Sequence, residues 1–434
     1  MKLQISAIYR FLVLTFLLIP CVGQAQTQTQ AATQVANQEA RSHSLTPEQY
    51  AKAKSYSRTR YTQYFVGEAY GFVILLLLLL KGFGSRLQKF AERFTSSRVL
   101  QVLVFAPLFI LTLSVLLLPI DLWDHSVVFK YGLSVQSWGS WFSDWAKAGA
   151  LSLLLGTILI WILYAVIRRS PRRWWLYFWL ASLPLIVLVL FISPVVIDPL
   201  FFKFEPLQPK NPELVNEIER VVQRAGLNIP TDRMFVMNAS SKYTGLNAFV
   251  EGFGSTKRVV VWDTMLQKST LAETVVVFGH EMGHYVLHHI PKQTAIDSAI
   301  VLILLYAGFR IVKSQVRSGR WGISSESELA SLPLLLLVFS ILGFLATPVF
   351  SGISRHFEHE ADRYALEVTH GIVPNAGQAG VHFFETSGVT NLADPDPNPF
   401  IVFWMFDHPS DPDRIRFMKN YDPWENGHSP RYVK

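Results

Sequence analysis

Six long apolar runs constrain the fold of this chain more than any other feature. Half of the 434 residues are hydrophobic and only 16% are charged, which is too apolar for a soluble chain of this length. A helix needs about 20 apolar residues to cross a bilayer, and each run is that long or nearly so. The predicted membrane spans are residues 65–80, 99–120, 148–167, 174–196, 295–312 and 332–350.

The fifth run, residues 295–312, has an alternative interpretation. Asp297 and Arg310 lie within it, and charged side chains are costly inside a bilayer. A buried helix of a large fold would tolerate the same pattern. The membrane span remains the prediction.

The N-terminus has the three parts of a secretory signal. Lys2 and Arg10 flank the start of an apolar stretch, and a site of small residues ends at Ala25. Residues 1–25 are therefore predicted to be a signal peptide or a signal anchor. Residues 26–60 are rich in Gln, Ala, Thr and Ser, which predicts a flexible polar tether.

The sequence HEMGH at residues 280–284 matches the HExxH pattern. Residues four apart share a helix face, so His280 and His284 can bind one zinc ion while Glu281 reaches the water beside it. An upstream capping-box pattern predicts the start of the helix, and Pro291 is predicted to end it. A chance match is the alternative, because short motifs produce false positives.

A catalytic zinc also needs a third protein ligand, and the segment SRHFEHEAD at residues 354–362 offers one. Glu358 and Asp362 are four apart, so one carboxylate can bind metal while the other accepts a proton from a ligand histidine. His356 and His359 are rival ligands, but neither shares a helix face with Asp362 as Glu358 does. A solvated charged helix face is the alternative.

Three separated motifs make the chain resemble the integral-membrane zinc endopeptidases typified by CAAX prenyl protease 1, and more distantly the HtpX-type quality-control proteases. These motifs are HExxH, Glu-x-x-x-Asp after Ser-Arg-x-Phe, and HPSDPDRI at residues 408–415. Residues 198–207 and 247–266 are also similar to segments that precede the zinc helix in that family. The resemblance covers roughly residues 60–420.

The resemblance implies a role for each motif. One zinc ion would be bound by His280, His284 and Glu358. Glu281 would be the general base for a zinc-activated water, and His408 would help to stabilise the oxyanion. Arg414 would be structural or would orient the substrate. Taken alone, a histidine before proline is an ordinary loop residue, which is the alternative for His408.

The sequence pattern between the fourth span and the HExxH helix predicts a small α/β insertion there. Asn211 and Pro212 have the cap and first-turn positions of a helix, and β-rich runs follow, one of them part of a hairpin. We place Asn247 and Ala248 on a strand edge that could bind the substrate as an added strand. A hairpin that merely packs under the zinc helix is the alternative.

Basic residues indicate which loops are cytoplasmic. They cluster between the first and second, third and fourth, and fifth and sixth spans: Lys81, Arg86, Lys89, Arg93, Arg98, Arg168, Arg169, Arg172, Arg173, Arg310, Lys313, Arg317 and Arg320. Positive residues favour the cytoplasmic side, which puts residues 199–292 and those from 351 outside the cytoplasm. With the signal segment, this predicts a bacterial inner-membrane enzyme whose site faces the periplasm. Topology explains the net charge of +7, so no nucleic-acid partner is expected.

The predicted fold is mainly α: a polytopic transmembrane helical bundle that encloses a gluzincin-type zinc site, with the small α/β insertion. Residues 61–198 would hold four membrane helices, and residues 199–292 the α/β region that ends in the HExxH helix. Residues 293–352 would hold two further membrane helices, and residues 353–434 the C-terminal catalytic region.

The predicted function is a zinc-dependent endopeptidase that hydrolyses membrane-associated or envelope proteins, with the lipid bilayer as its surroundings. A CAAX-type processing protease with a cytosolic site is one alternative. A non-catalytic transporter or scaffold with a vestigial metal site is another. The runs before residue 196 are almost uncharged and show no repeated halves, which disfavours a transporter.

Overall fold

Long helices make up most of the described chain, which comprises residues 45–252, 257–425, 427 and 429–433 of this computed structural model. The predicted signal segment and the first part of the predicted tether lie outside the described residues. The helices are α1 (Pro47–Leu80), α2 (Phe83–Phe94), α3 (Arg98–Lys130), α4 (Trp138–Arg169), α5 (Trp174–Ile192), α6 (Pro212–Arg224), α7 (Asp263–Lys268), α8 (Leu271–Val286), α9 (His289–Arg317), α10 (Leu332–Thr369), α11 (Ala376–Thr390), α12 (Pro399–Met405) and α13 (Asp411–Asn420).

Five of the described helices are long and apolar enough to cross a membrane: α1, α3, α4, α9 and α10. They pack through a shared apolar core that includes Phe105, Phe109 and Trp174. The mainly α membrane bundle predicted from the apolar runs is therefore confirmed, and the fifth run lies within one of these helices.

The fourth predicted span, residues 174–196, is not one straight helix. α5 ends at Ile192 and a π-helical turn follows at Ser193–Ile197. The two pieces form a sixth possible span that is bent by 47°. Pro194 has no backbone N–H to continue the helical hydrogen bonds, which explains the break.

α1 begins well before the predicted membrane span. The Thr46 side chain accepts a hydrogen bond from the Gln49 backbone N–H, and the Gln49 side chain accepts one from the Thr46 backbone N–H. This reciprocal cap starts a helix. The prediction of a flexible tether over residues 26–60 is therefore wrong for residues 47–60, where the polar side chains lie on a helix that continues into the membrane.

A four-stranded sheet lies next to α8. Its strands are β1 (Phe204–Pro206), β2 (Met234–Met237), β3 (Ala248–Glu251) and β4 (Arg258–Trp262). The strand order is β1-β2-β4-β3, with β2 and β4 parallel and the other pairs antiparallel. The predicted β3–β4 hairpin is confirmed by the pairing of Ala248 with Val261. Within the described residues β3 has only β4 as a neighbour, so its other side is an outer edge.

Two glycines bring α8 into close contact with α10. A Cβ atom at Gly283 would lie 3.1 Å from the Cα of Ala361, and one at Gly279 would lie 2.9 Å from the Thr369 Cγ2. Any larger side chain would push the helices apart, because protein interiors are close-packed. This close approach sets the distance between the HExxH motif on α8 and Glu358 on α10.

The zinc helix ends earlier than the sequence suggested. α8 stops at Val286, and His288 adopts a left-handed conformation with φ of 58° before α9 begins. Pro291 lies in the first turn of α9, where the missing N–H costs no helical hydrogen bond. The prediction that Pro291 ends the zinc helix is therefore wrong, since a sharp turn at His288 ends it instead.

Candidate metal centre

Three side chains from two helices converge at the α8–α10 contact. His280 Nε2 lies 3.1 Å from His284 Nε2 and 3.1 Å from Glu358 Oε2. His284 Nε2 lies 3.4 Å from Glu358 Oε1. Each residue offers one ligand atom, and these atoms lie within 4.8 Å of one another. The two histidines reach the same point because one helical turn separates them.

The donor set fits a zinc ion. Tetrahedral zinc with ligand bonds of about 2.0–2.2 Å would hold its ligand atoms about 3.3 Å apart, which agrees with the observed separations. Glu358 Oε2 is buried and has no hydrogen-bond partner within the described residues. Buried carboxylate oxygens are otherwise satisfied, so a bound cation would account for this atom.

Asp362 contacts His280 on the ring nitrogen that faces away from the cluster. Its Oδ1 lies 2.9 Å from His280 Nδ1, and its Oδ2 accepts a hydrogen bond of 2.9 Å from Arg414 Nε. Burial lowers the pKa of His280, but the neighbouring carboxylates of Asp362 and Glu358 outweigh it and raise that pKa to about 9. The cluster thus favours positive charge, as expected of a cation site.

Arg414 is a buried partner of Asp362. Burial lowers the pKa of its guanidinium, but the Asp362 carboxylate raises it above the ordinary value. Its guanidinium also lies over the Phe384 ring, 4.3 Å from the ring centre. The side chain is 5% exposed and still lines the cleft beside the metal cluster. A direct contact between Arg414 and a substrate stays a prediction.

Glu281 lies between the metal cluster and the cleft. It follows His280 directly and lines the cleft wall. Burial raises the pKa of its carboxyl above the ordinary value, which is the direction that suits a general base. The role of Glu281 as a general base stays a prediction.

His408 comes from the loop between α12 and α13, and the structure brings it to the same centre. Its Nε2 lies 3.2 Å from Glu358 Oε1, and its Nδ1 lies 2.9 Å from Asp407 Oδ1. The Nε2 contact lacks hydrogen-bond geometry, so this buried nitrogen has no partner within the described part of the chain. A contact between this nitrogen and a substrate oxygen stays a prediction. Asp407 was not singled out from the sequence.

A cleft opens beside the cluster. The end of β3 forms one wall, with Asn247 and Ala248, and α11 forms another. Phe383 and Phe384 contribute apolar surface, while His280 and Glu281 contribute polar groups. A mostly apolar cleft with a few convergent polar groups is typical of a ligand site.

The rival histidines on α10 do not join the cluster. The His356 side chain is 71% exposed, and the His359 ring packs on Phe417 with ring centres 4.6 Å apart. His289 is the histidine that the sequence interpretation missed. Its Nδ1 lies 3.2 Å from Nδ1 of His284, and its position five residues after His284 was the available signal.

This fold and this cluster define a class: membrane metallopeptidases in which an HExxH helix and a later glutamate meet at one metal centre. The family model described as "CAAX prenyl protease N-terminal, five membrane helices" matches residues 26–203. The model described as "Peptidase family M48" matches residues 208–422.

Individual relatives agree with these matches. A Bacillus subtilis (strain 168) protein named "Uncharacterized metalloprotease YhfN" is 35% identical over 378 residues, which is 86% of each chain. CAAX prenyl protease 1 of Saccharomyces cerevisiae is 25% identical and covers 85% of each chain. The crystal structure of S. mikatae Ste24p superimposes with a TM-score of 0.74 at 22% identity, covering 96% of this chain and 97% of that one. That superposition shows the fold alone.

The chain belongs to peptidase family M48. It is an integral-membrane zinc metalloendopeptidase, and the comparisons disfavour the non-catalytic alternative.

Proposed function

We propose that this endopeptidase holds one zinc ion through His280, His284 and Glu358 and uses Glu281 as its general base. The observation that carries the proposal is the convergence of the three ligand atoms directly beside Glu281. When bound, zinc would polarise the scissile carbonyl and make a water molecule acidic at neutral pH.

The side chains around the centre supply the proton transfers. Glu281 accepts a proton from the attacking water and later donates it to the leaving amine. His408 stabilises the oxyanion through its Nε2, which is buried and points at the centre without a hydrogen bond of its own. Asp362, held by Arg414, fixes the Nδ1–H tautomer of His280 so that Nε2 faces the metal.

Metal analysis tests the ligand assignment. Purified wild-type protein is expected to carry about one zinc per chain and to cleave quenched peptides in a chelator-sensitive manner. His284→Ala removes one ligand of the set and is expected to retain less than about a tenth of the zinc. The exposed His356→Ala is the matched control and should keep both zinc and activity. Full zinc content in His284→Ala would contradict the assignment.

The outer edge of β3 is proposed to bind the substrate. Asn247 O already accepts a hydrogen bond from Trp262 N, which continues the β3–β4 ladder to the cleft. A peptide added along the other side of β3 would pair through its backbone and pass Glu281, without demanding a particular sequence. This arrangement suits a protease that acts on varied membrane-associated or envelope proteins.

Asn247→Ala is expected to lower kcat/KM about three- to tenfold. It removes a polar side chain from the cleft wall, and a lost hydrogen bond costs about 0.5–1.5 kcal/mol. Steady-state kinetics on one quenched peptide would measure the change, with the exposed Asn420→Ala as control. Equal kcat/KM for both variants would favour a hairpin that only packs under the zinc helix.

We further propose that the zinc centre faces the periplasm of a bacterial inner membrane. The basic loops meet at one end of the bundle, which supports this orientation. Ala330 N donates to Gln88 Oε1, linking the α9–α10 loop to α2, and Trp174 Nε1 donates to Glu326 Oε2, linking that loop to α5. A shared basic end is expected to be cytoplasmic.

A reporter that is active only outside the cytoplasm is expected to be active when fused after Lys434. The same reporter fused after Ser170, in the basic α4–α5 loop, should be inactive. The reverse pattern would put the site in the cytosol. It would favour processing of CAAX-type prenylated proteins, which the names of several relatives suggest.

A further inference from the structure

A third histidine lies against the metal cluster because of the break between α8 and α9. The left-handed turn at His288 lets α9 begin at His289, whose ring is buried beside His284. The His289 ring packs against Phe357, with ring centres 4.8 Å apart. Its Nδ1 lies 3.2 Å from Nδ1 of His284. The packing against Phe357 and the turn at His288 together fix the position of the His289 ring.

The contact between the Nδ1 atoms of His284 and His289 allows only one arrangement of protons on the two rings. His284 Nε2 faces the other ligand atoms, so it must be unprotonated to bind metal. The proton of His284 is then on Nδ1, and it is donated to His289 Nδ1. His289 must therefore carry its own proton on Nε2.

Glu360 is positioned to receive that second proton. Its Oε2 lies 3.5 Å from His289 Nε2, a buried nitrogen that has no hydrogen-bond partner within the described residues, so Glu360 is the carboxylate that faces this N–H. Its Oε1 accepts a hydrogen bond of 2.7 Å from the Tyr432 hydroxyl and lies 3.4 Å from Arg431 Nη2. Two groups of the C-terminal segment thus hold the Glu360 carboxylate toward His289.

We propose that His289 is a positioning residue for the metal centre. It orients His284 through three contacts in series, which are His284–His289, His289–Glu360 and Glu360–Tyr432. This inference rests on the proposed zinc ligation by His284. Each ligand histidine then has a carboxylate behind it: Asp362 acts directly on His280, and Glu360 acts on His284 through His289. Partners of this kind fix the tautomer and the ring orientation of metal ligands.

Zinc affinity, measured by competition with chelators of graded strength, tests the proposal without relying on activity. His289→Ala is expected to weaken zinc binding about 10- to 100-fold. His289→Asn places an amide oxygen near the position of Nδ1 and should restore most of the affinity. Glu360→Gln and Tyr432→Phe should each weaken binding a fewfold. Melting temperatures of the zinc-free Glu360→Gln and Tyr432→Phe proteins should stay close to wild type, whereas His289→Ala also removes a buried ring and should melt at a lower temperature.

Two further variants, His356→Ala and His284→Ala, separate the possible results. His356→Ala removes an exposed histidine 3.8 Å from Glu360 Oε2 and should leave zinc affinity unchanged. Zinc loss in His284→Ala with wild-type affinity in His289→Ala would overturn the inference and leave the ligation intact. Wild-type affinity in His284→Ala would overturn the ligation and the inference together. If His289→Ala fails to fold, wild-type affinity in both Glu360→Gln and Tyr432→Phe would overturn the inference as well.

Discussion

Glu281→Gln is expected to lower kcat about 10²- to 10⁴-fold, the usual contribution of a positioned general base. Glutamine has the same shape as glutamate but cannot accept the proton of the attacking water. The zinc content should stay at the wild-type level, because Glu281 is not one of the three converging ligands. Cleavage rates of quenched peptides and metal analysis on the same samples measure both quantities.

The control for this variant is Glu213→Gln, which changes an exposed glutamate in the first turn of α6. It should keep both kcat and zinc. If Glu281→Gln also loses its zinc while remaining folded, Glu281 contributes to metal binding and its role as a base alone is excluded.

Arg414→Met is expected to destabilise the protein by about 3–5 kcal/mol, the usual cost of removing one partner of a buried ion pair. Asp362 is 1% exposed, and its two carboxylate oxygens both accept hydrogen bonds from Arg414. Without the guanidinium, a buried negative charge would remain beside His280. Thermal unfolding of zinc-free protein in detergent would measure the loss.

Arg416→Met is the matched control, two residues further along α13. Arg416 pairs with Asp413, but both side chains are partly exposed, so its loss should cost at most about 1 kcal/mol. Combining Arg414→Met with Asp362→Leu removes both charges and should be more stable than Arg414→Met alone. Equal unfolding temperatures for Arg414→Met and Arg416→Met would show that the buried pair does not stabilise the fold.

The sequence predicted the metal cluster because helical spacing determines which side chains share a face. His280 and His284 are one turn apart on α8, and Glu358 and Asp362 are one turn apart on α10, so only the packing of two helices was unknown. The glycines on α8 bear on that packing, but the sequence alone could not show that Ala361 lies opposite Gly283. The order of strands that leaves β3 at an edge was likewise only a hypothesis.

The missed features depend on partners that are distant in the chain. The polar start of α1 was read as a tether, although there Lys54 pairs with Asp394, far away in sequence. α2 was read as a basic loop, although it buries Leu87 and Ala91. His289 was missed because the turn at His288 has no local sequence signature, and Glu360 could not be assigned without the C-terminal contacts that hold it.

The single 38-residue helix α10 also bears on how this protease is made. At about 1.5 Å per residue it is about 57 Å long, which exceeds the roughly 30 Å hydrocarbon core of a bilayer, and Glu358 lies in its C-terminal part, after the apolar residues 332–350. On the proposed ligation, His280 and His284 leave the ribosome before α9 and α10, and Glu358 follows only after the apolar part of α10, residues 332–350. A chain still being synthesised therefore lacks a complete ligand set. On that ligation, peptide hydrolysis is expected to begin only once the last membrane helix has been made, which would protect the nascent chain and its neighbours from premature cleavage.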